Sequence, residues 1–242
     1  KLYYGTENGL FITEDGQRKL FVHSTDDPHS IISNVVWCIY ADRDGNLYFG
    51  TDCGISILPA RNDVYHDISE LTRLDFGNRF LCLFRDKSGT YWLGGNNGLI
   101  MSQDLSSYDS VWYRMKESIN DGFPHNRIRD IFEDREGNVW VSTDAGVVVY
   151  DRNTGKFRRR SVVSADGSAN SSWVYAMEED KEGNVWLATY NQGVMVAASK
   201  DLSEDSDVSA LRLFSEKDGL RDKIIDAMVY DRLSDRMLVL LH

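Results

Sequence analysis

The sequence predicts an all-β fold, a β-propeller built of four-stranded antiparallel blades, and two observations indicate it. A motif recurs along the whole chain at a nearly constant spacing. Each recurrence contains short runs of β-branched and aromatic residues separated by Asp, Asn and Gly, which is the pattern of β-hairpins. Repeats of about 40–50 residues with four strands each are typical of propeller blades.

The recurring motif is clearest over residues 134–147, which read Asp-Arg-Glu-Gly-Asn-Val-Trp-Val-Ser-Thr-Asp-Ala-Gly-Val. Related copies begin at Leu2, Asp42, Asp86, Asp180 and, in degenerate form, Asp231. The turn glycines, which are Gly45, Gly89, Gly137 and Gly183, lie 44, 48 and 46 residues apart. The second glycines, which are Gly9, Gly54, Gly98, Gly146 and Gly193, lie 45, 44, 48 and 47 residues apart. Two independent landmarks therefore give the same period.

One complete repeat illustrates the elements in order. The predicted strands, separated by polar turns, are residues 128–133, 139–143, 147–150 and 156–162. The aspartate that opens the first turn can accept backbone N–H groups, and the second glycine suits a positive φ. The aromatic residue three positions after the turn glycine can fill the space between neighbouring sheets; it is Tyr48, Trp92, Trp140 or Trp186.

The repeat gives about five units of 44–51 residues over one propeller region, residues 1–242. The approximate units are 1–30 (partial), 31–76, 77–122, 123–168, 169–220 and 221–242 (partial). The chain starts and ends in the second strand of a repeat, so we expect it to be part of a larger propeller.

Composition and motifs exclude several classes of function. With 38 acidic and 27 basic residues the formal charge is −11, so we expect no nucleic acid partner. No apolar run is long enough for a transmembrane helix, so the segment itself is not expected to be embedded in a membrane. The three cysteines have no C-x-x-C spacing and indicate neither a disulfide framework nor a zinc site.

No catalytic or cofactor motif is present in the sequence. There is no Walker A loop, no G-x-G-x-x-G and no G-x-S-x-G elbow. Residues 42–46 match a calcium loop only in part, because the glycine is fourth rather than sixth, and Ca²⁺ is a minor alternative. We therefore predict no cofactor, no metal and no catalytic residue.

The recurring string E/A-D-x-x-G-N-x-W-x-x-T-x-x-G-L/V resembles the two-component regulator propeller repeat. The connectors are similar to that family too, because its D-G-L-P-x-N loop appears as residues 121–126 and, weakened, as 218–223. The resemblance implies a periplasmic sensor region of a Bacteroides-type hybrid two-component histidine kinase. In that family paired propellers, usually seven-bladed, sense polysaccharide breakdown products, and a β-domain, a membrane helix, a histidine kinase and a DNA-binding response regulator follow.

The resemblance covers nearly the whole chain, but the chain holds no kinase motif and no helix-turn-helix. Phosphotransfer and transcription regulation are therefore expected of the parent protein, while this chain is not expected to be an enzyme. Expected partners are an oligosaccharide, the neighbouring propeller and β-domain of the same parent, and a second copy in a homodimer. The alternatives are an interaction scaffold without a small ligand and, less favoured, a propeller glycosidase or lyase.

The candidate ligand site lies in the loops that lead into the innermost strands, because those loops gather on one face of a propeller. Their amide, cationic and aromatic side chains suit a sugar, which offers hydroxyl groups and an apolar C–H face. The predicted binding residues are Asn34, Trp37, Asn78, Arg79, His125, Asn126, Arg127, Asn170, Trp173 and Lys223. The structural alternative is that the asparagines cap turns and the two tryptophans pack between sheets.

Overall fold

The structure is a computed structural model, and it describes residues 1–60, 72–74, 76–105, 110–113, 123–160, 162–163, 173–198 and 208–242. The described chain is all-β, with one short 3₁₀ helix at Glu216–Asp218. It divides into two compact units, residues 1–111 and 112–242. We number the six sheets that follow the repeat as blades I to VI, in chain order.

The first unit contains blades I, II and III, whose strands are hydrogen-bonded in chain order. Blade I consists of β1 (Leu2–Thr6), β2 (Gly9–Glu14) and β3 (Gln17–Phe21). Blade II consists of β4 (Val36–Ala41), β5 (Leu47–Thr51), β6 (Ile55–Leu58) and β7 (Thr72–Leu74). Blade III consists of β8 (Phe80–Arg85), β9 (Tyr91–Gly95), β10 (Gly98–Ser102) and β11 (Ser110–Tyr113).

The second unit contains blades IV, V and VI. Blade IV consists of β12 (Ile128–Glu133), β13 (Val139–Thr143), β14 (Gly146–Asp151) and β15 (Lys156–Arg160). Next to it, β16 (Val162–Val163) pairs in parallel with β20 (Val208–Ser209). Blade V consists of β17 (Val174–Glu179), β18 (Asn184–Thr189), β19 (Val194–Ala198) and β21 (Arg212–Phe214), and blade VI of β22 (Ile225–Asp231) and β23 (Arg236–Leu241).

In blades II to VI the first strand is the inner strand, because these strands lie side by side within a unit, whereas blade I begins with the second strand of its repeat. Strand β4 contacts β8 in the first unit, and β17 contacts both β12 and β22 in the second. Each of these inner strands has a register shift at its second residue, for example between Ile128 and Asp130. Four-stranded antiparallel sheets with adjacent inner strands confirm the predicted propeller fold class.

Apolar residues that alternate along the strands meet between neighbouring sheets and form the core. In the first unit, Leu10 of blade I packs with Val36 and Phe49 of blade II. In the second unit, Trp140 of blade IV packs in the cluster that holds Val174 and Leu187 of blade V. The predicted position of the aromatic residue between the sheets is therefore confirmed here.

The turn aspartate stabilises each hairpin and also fixes the buried aromatic ring. In blade IV, Asp134 Oδ1 accepts the N–H groups of Glu136 and Asn138, at 3.0 and 2.8 Å. Its Oδ2 accepts the side-chain amide of Asn138 at 2.9 Å and the indole N–H of Trp140 at 2.8 Å. The predicted acceptor role of the aspartate is confirmed. The carboxylate is fully buried, and the four donors compensate for the water that it loses.

The second glycine adopts the backbone conformation that the sequence predicts. Gly146 has φ of 101° and Gly193 has φ of 83°, a region that L side chains rarely adopt. At Gly193 an added Cβ would also lie 2.1 Å from the carbonyl oxygen of Phe214. The repeat unit boundaries stay a prediction, since residues 122 and 168 lie outside the described part of the chain.

Candidate functional site

One backbone hydrogen bond recurs at the start of every inner strand and builds the candidate site. The N–H of the residue that follows the second strand donates to the carbonyl of the residue before the inner strand, at 3.0 to 3.3 Å. The donor and acceptor pairs are Asp52 and Val35, Asn96 and Arg79, Asp144 and Arg127, Tyr190 and Trp173, and His242 and Ile224. This bond brings three kinds of side chain to one end of the blade: those of the loop before the inner strand, of the second residue of that strand and of the first residue after the second strand.

In the first unit, this arrangement brings Trp37, Asp52 and Arg79 together, and we call them the first-unit cluster. Asp52 Oδ1 accepts the indole N–H of Trp37 at 2.6 Å and lies 2.5 Å from Arg79 Nε. The Arg79 guanidinium lies over the Trp37 ring, 4.9 Å from its centroid. Trp37 remains 41% exposed, so it does not pack between sheets, and its ring is available as a contact surface.

In the second unit, a carboxylate holds one arginine against two aromatic rings. Arg129 Nε lies 2.5 Å from Asp144 Oδ1, and both side chains are nearly buried. The Arg129 guanidinium lies 5.0 Å from the ring centroid of Trp173 and 4.6 Å from that of Tyr175. Ion pairing and cation–π contacts together fix the guanidinium in one orientation.

Three aromatic rings of blade V form a continuous apolar surface beside Arg129. Trp173 and Tyr190 have ring centroids 4.7 Å apart with an interplanar angle of 42°. Tyr175 lies 6.3 Å from Trp173 and 6.1 Å from Tyr190. Tyr190 is 38% exposed, so part of this surface faces solvent. With Arg127, Arg129 and Asp144, these three rings form what we call the second-unit cluster.

The hydroxyl of Tyr175 stays protonated over a wide pH range. Burial raises its pKa above the ordinary value, and the charges of Asp144 and Asp226 raise it further, while Arg129 opposes them. A protonated phenol can both donate and accept a hydrogen bond. Tyr175 therefore offers this cluster a neutral polar group next to its charged ones.

Arg127 lies at the edge of the second-unit cluster, and His125 orients its backbone. His125 Nδ1 accepts the Arg127 N–H at 3.0 Å, so this ring nitrogen carries no proton in the structure. Arg127 Nη1 is 3.9 Å from Asp144 Oδ2, a long contact beside the 2.5 Å contact of Arg129 with the same carboxylate.

The other predicted residues are placed less centrally. Asn34 Oδ1 accepts the N–H of His23 at 2.6 Å, and Asn78 Oδ1 accepts that of Asn97 at 3.2 Å, so both cap loops. Lys223 pairs with Glu216 at 3.5 Å near solvent. Asn126 is half-buried in the loop that leads into the inner strand of blade IV, which we call its entry loop. Asn170 lies outside the described residues.

The sequence did not identify five side chains that the structure places in these clusters, which are Asp52, Arg129, Asp144, Tyr175 and Tyr190. Their shared signal is positional: each is the second residue of an inner strand or the first residue after a second strand. Once the repeat is aligned, those two positions are readable from the sequence. The structure places them beside the entry loops because of the recurring backbone hydrogen bond.

The described carboxylates of the two clusters serve as fixed partners of cations. Asp52 contacts Arg79 and Trp37, and Asp144 contacts Arg127 and Arg129. Within the described ranges, no three His, Cys, Asp or Glu residues are grouped so that they could hold a metal ion. The arrangement suits the orientation of a polar ligand on aromatic faces.

Comparison with known families identifies the repeat. Residues 30–53, 122–145 and 168–191 match the family model described as two component regulator propeller. Each stretch contains the inner strand and the second strand of one blade and ends in the turn after that second strand, so it includes the strand positions that carry the candidate site. No curated protein sequence matches the chain significantly.

Solved structures agree with this family. The extracellular domain of the putative hybrid two component system BT4673 from B. thetaiotaomicron is 33% identical, with a TM-score of 0.64 over 99% of this chain and 33% of that one. The corresponding domain of BT3049 from the same organism is 19% identical, with a TM-score of 0.73 over 98% and 30%.

A third similar structure comes from a different system. PorZ of Porphyromonas gingivalis, a surface component of the type-IX secretion system, is 17% identical, with a TM-score of 0.71 over 95% of this chain and 34% of PorZ. Because the sequence identity of BT3049 and PorZ to this chain is low, their structural similarity shows only that the fold is shared. This chain spans about a third of the length of each of these three structures.

Proposed function

Because the chain belongs to the two-component regulator propeller repeat family, we propose that it is a ligand-sensing segment of a hybrid two-component sensor. Its relatives are extracellular domains of such systems, and its location is periplasmic. Among the described residues, no helix has the length and hydropathy that a membrane crossing needs. The kinase and the transcriptional response regulator belong to the proposed parent protein, and the segment itself is not an enzyme.

The proposed ligand is an oligosaccharide released from a polysaccharide. The single observation that carries this proposal is the pairing of partly exposed aromatic rings with oriented guanidinium groups at the start of the inner strands. Trp37 lies under Arg79 in the first unit, and in the second Trp173 lies beside Arg129 and packs against Tyr190. Aromatic faces accept the C–H surface of a sugar, and guanidinium groups donate to its hydroxyls.

Signalling follows from differential affinity. A ligand shifts an equilibrium between two conformations only if it binds one of them more tightly. The proposed sites combine side chains from neighbouring blades within each unit, for example Arg129 of blade IV and Tyr175 of blade V. A saccharide that contacts both blades would therefore favour one relative position of the two, and the parent protein would transmit that preference through the membrane.

A second candidate function is an interaction scaffold without a small ligand. The observation that favours it is the row of exposed apolar side chains on blade VI, where Val229, Leu238 and Leu240 are more than half exposed. Exposed apolar patches mark contacts with other protein surfaces. The remainder of the larger propeller that the sequence predicts would supply such a surface, as would the neighbouring propeller, the β-domain of the parent or a second copy of the chain.

Thermal unfolding in the presence of saccharides separates the two candidates. The chain is melted alone and with a panel of oligosaccharides, and unfolding is followed by tryptophan fluorescence. A ligand at about 100 times its Kd stabilises the native state by about 2.7 kcal/mol, which raises Tm by several degrees. A rise with one saccharide and none with its isomers supports the sensor. No rise with any saccharide, from a chain that melts cooperatively, favours the scaffold.

A further inference from the structure

Arg127 is the one guanidinium of the second-unit cluster whose charge is poorly matched. Within the described ranges its Nε is buried without a hydrogen-bond partner, and its nearest carboxylate contact is the 3.9 Å one to Asp144. Asp144 is already engaged by Arg129 at 2.5 Å. The Arg127 side chain is still 39% exposed, so a ligand can reach the outer part of its guanidinium group.

The equivalent arginine of the first unit shows what a matched guanidinium looks like. Arg79 also immediately precedes an inner strand, but its Nε lies 2.5 Å from Asp52, which no second arginine engages among the described residues. One carboxylate thus serves one arginine in the first-unit cluster and two in the second. Asp226, whose charge also acts on Tyr175, contacts His242 at 3.1 Å and makes no ion pair with Arg127 among the described residues. An anionic group of a ligand would therefore give Arg127 the close partner that Asp144 gives Arg129.

The surroundings of Arg127 add donors. Because His125 Nδ1 accepts the Arg127 N–H, the ring Nε2 of His125 carries the proton and can donate. Lys223 lies beside the turn that carries Tyr190, because its carbonyl accepts the N–H of Gly193 in that turn at 3.2 Å. Its contact with Glu216 is 3.5 Å long and solvent-exposed, and such pairs are weak.

We propose that the second-unit cluster binds an acidic saccharide, a sugar that carries a carboxylate, and that Arg127 is the residue that recognises this carboxylate. This inference rests on the proposed function and names its substrate class. A uronate ring combines the two features that the cluster matches: its C–H face packs on Trp173 and Tyr190, and its carboxylate meets the planar fork of the guanidinium.

Because the whole chain is acidic, a preference for acidic over neutral sugars depends on the local positive charge of Arg127. The formal charge of −11 repels anions at long range, so an acidic sugar gains nothing from the overall potential. Its preference over a neutral sugar must come from short-range contacts. The Arg127 guanidinium supplies them as charge-assisted hydrogen bonds, which are about twice as strong as neutral ones.

Calorimetric titration of the whole 242-residue chain with matched saccharides tests the inference. The probes are short oligomers of galacturonate, glucuronate and mannuronate, each measured beside its carboxyl-reduced, neutral counterpart. For at least one pair we expect the acidic form to bind at least tenfold more tightly. Arg127→Gln removes that difference, whereas the charge-matched control Arg18→Gln, on the exposed outer strand of blade I, preserves it.

The outcomes distinguish this inference from the proposed function. Equal affinity for acidic and neutral forms overturns the inference but leaves the oligosaccharide sensor in place. No binding of any saccharide overturns both. An Arg127→Gln chain that still prefers the acidic form contradicts the role of Arg127. The comparison of acidic with neutral probes on the unmodified chain needs no variant, so a variant that fails to fold leaves the substrate class testable.

Discussion

A buried carboxylate in blade IV makes the stability of the second unit depend on pH. Asp130 occupies the strand position that holds Cys38 and Cys82 in earlier blades. Its Oδ2 accepts the N–H of Met177 from blade V at 2.7 Å, and its Oδ1 accepts the N–H of Ile131 at 2.8 Å. Among its described contacts no cation compensates the charge, and burial raises its pKa to about 6.

The magnitude follows from linkage. The pKa of Asp130 is about 6 in the folded chain against 3.8 for an ordinary Asp, so folding favours the protonated form. The stabilisation is complete below the ordinary pKa and is lost as pH rises through the folded pKa. The ionised group costs about 3 kcal/mol at pH 8, and acidification to pH 5 recovers about 1.4 kcal/mol of this.

Glu178 of blade V acts in the same direction. Burial and, to a smaller extent, the charge of Asp130 raise its pKa to about 7, against the opposing effects of a backbone hydrogen bond from Tyr230 and of the Arg232 charge. Because the charge of Asp130 raises the pKa of Glu178, the titration of Glu178 depends on the ionisation of Asp130. Replacement of Asp130 with Asn therefore removes one titrating group and also part of the cause of the Glu178 shift.

Urea denaturation at pH 5, 6, 7 and 8, followed by tryptophan fluorescence, measures the effect. We expect the unmodified chain to become more stable as the pH falls from 8 to 5. The Asp130→Asn chain should keep a smaller slope, because Glu178, whose pKa burial raises, titrates over the same range. Glu136→Gln, at an exposed turn residue of the same unit, should keep the full slope. If stability is flat or increases with pH over this range, or if Asp130→Asn retains the full slope, Asp130 does not carry the effect.

Three further substitutions test the fold and the site. Trp140→Phe removes the indole donor of Asp134, so the free energy of unfolding should fall by about 2 kcal/mol in urea; an unchanged midpoint would contradict the role of this bond. Gly95→Ala places a Cβ 2.3 Å from the Arg79 carbonyl oxygen, so a lower Tm is expected and an unchanged one would show that the strand end can shift. Trp173→Ala should abolish the Tm rise given by a bound saccharide, and a retained rise would place the ligand elsewhere.

The fold could be predicted from the sequence because each repeat has the same local constraints. Turn aspartates such as Asp134 and positive-φ glycines such as Gly146 are local devices, and their residue types identify them without tertiary information. The link from Asp134 to Trp140 could not be predicted in the same way. It requires the register of the hairpin, which places an indole six residues later on the buried carboxylate.

The site could be predicted only in part, because it depends on contacts between repeats. Loop position identified Trp37, Arg79, Arg127 and Trp173. The partners that orient them come from the ends of second strands and from inner strands of neighbouring blades, and only the folded chain brings these together. The raised pKa of Asp130 could not be predicted from the sequence either, because it depends on the burial of this strand position in the folded chain.

The side chains that could specify a ligand stand at positions where the residue type differs from repeat to repeat. The turn aspartate is the same in four blades because it has the same structural task in each. The second residue of the inner strand, by contrast, is different in every blade, and in chain order from blade II to blade VI it is Trp37, Leu81, Arg129, Tyr175 and Asp226. These side chains do not set the fold, because blades form with an indole, an alkyl group, a guanidinium, a phenol and a carboxylate at the same place. Their variation is therefore free to specify a ligand, and within the second unit blades IV, V and VI would each contact a different part of one molecule.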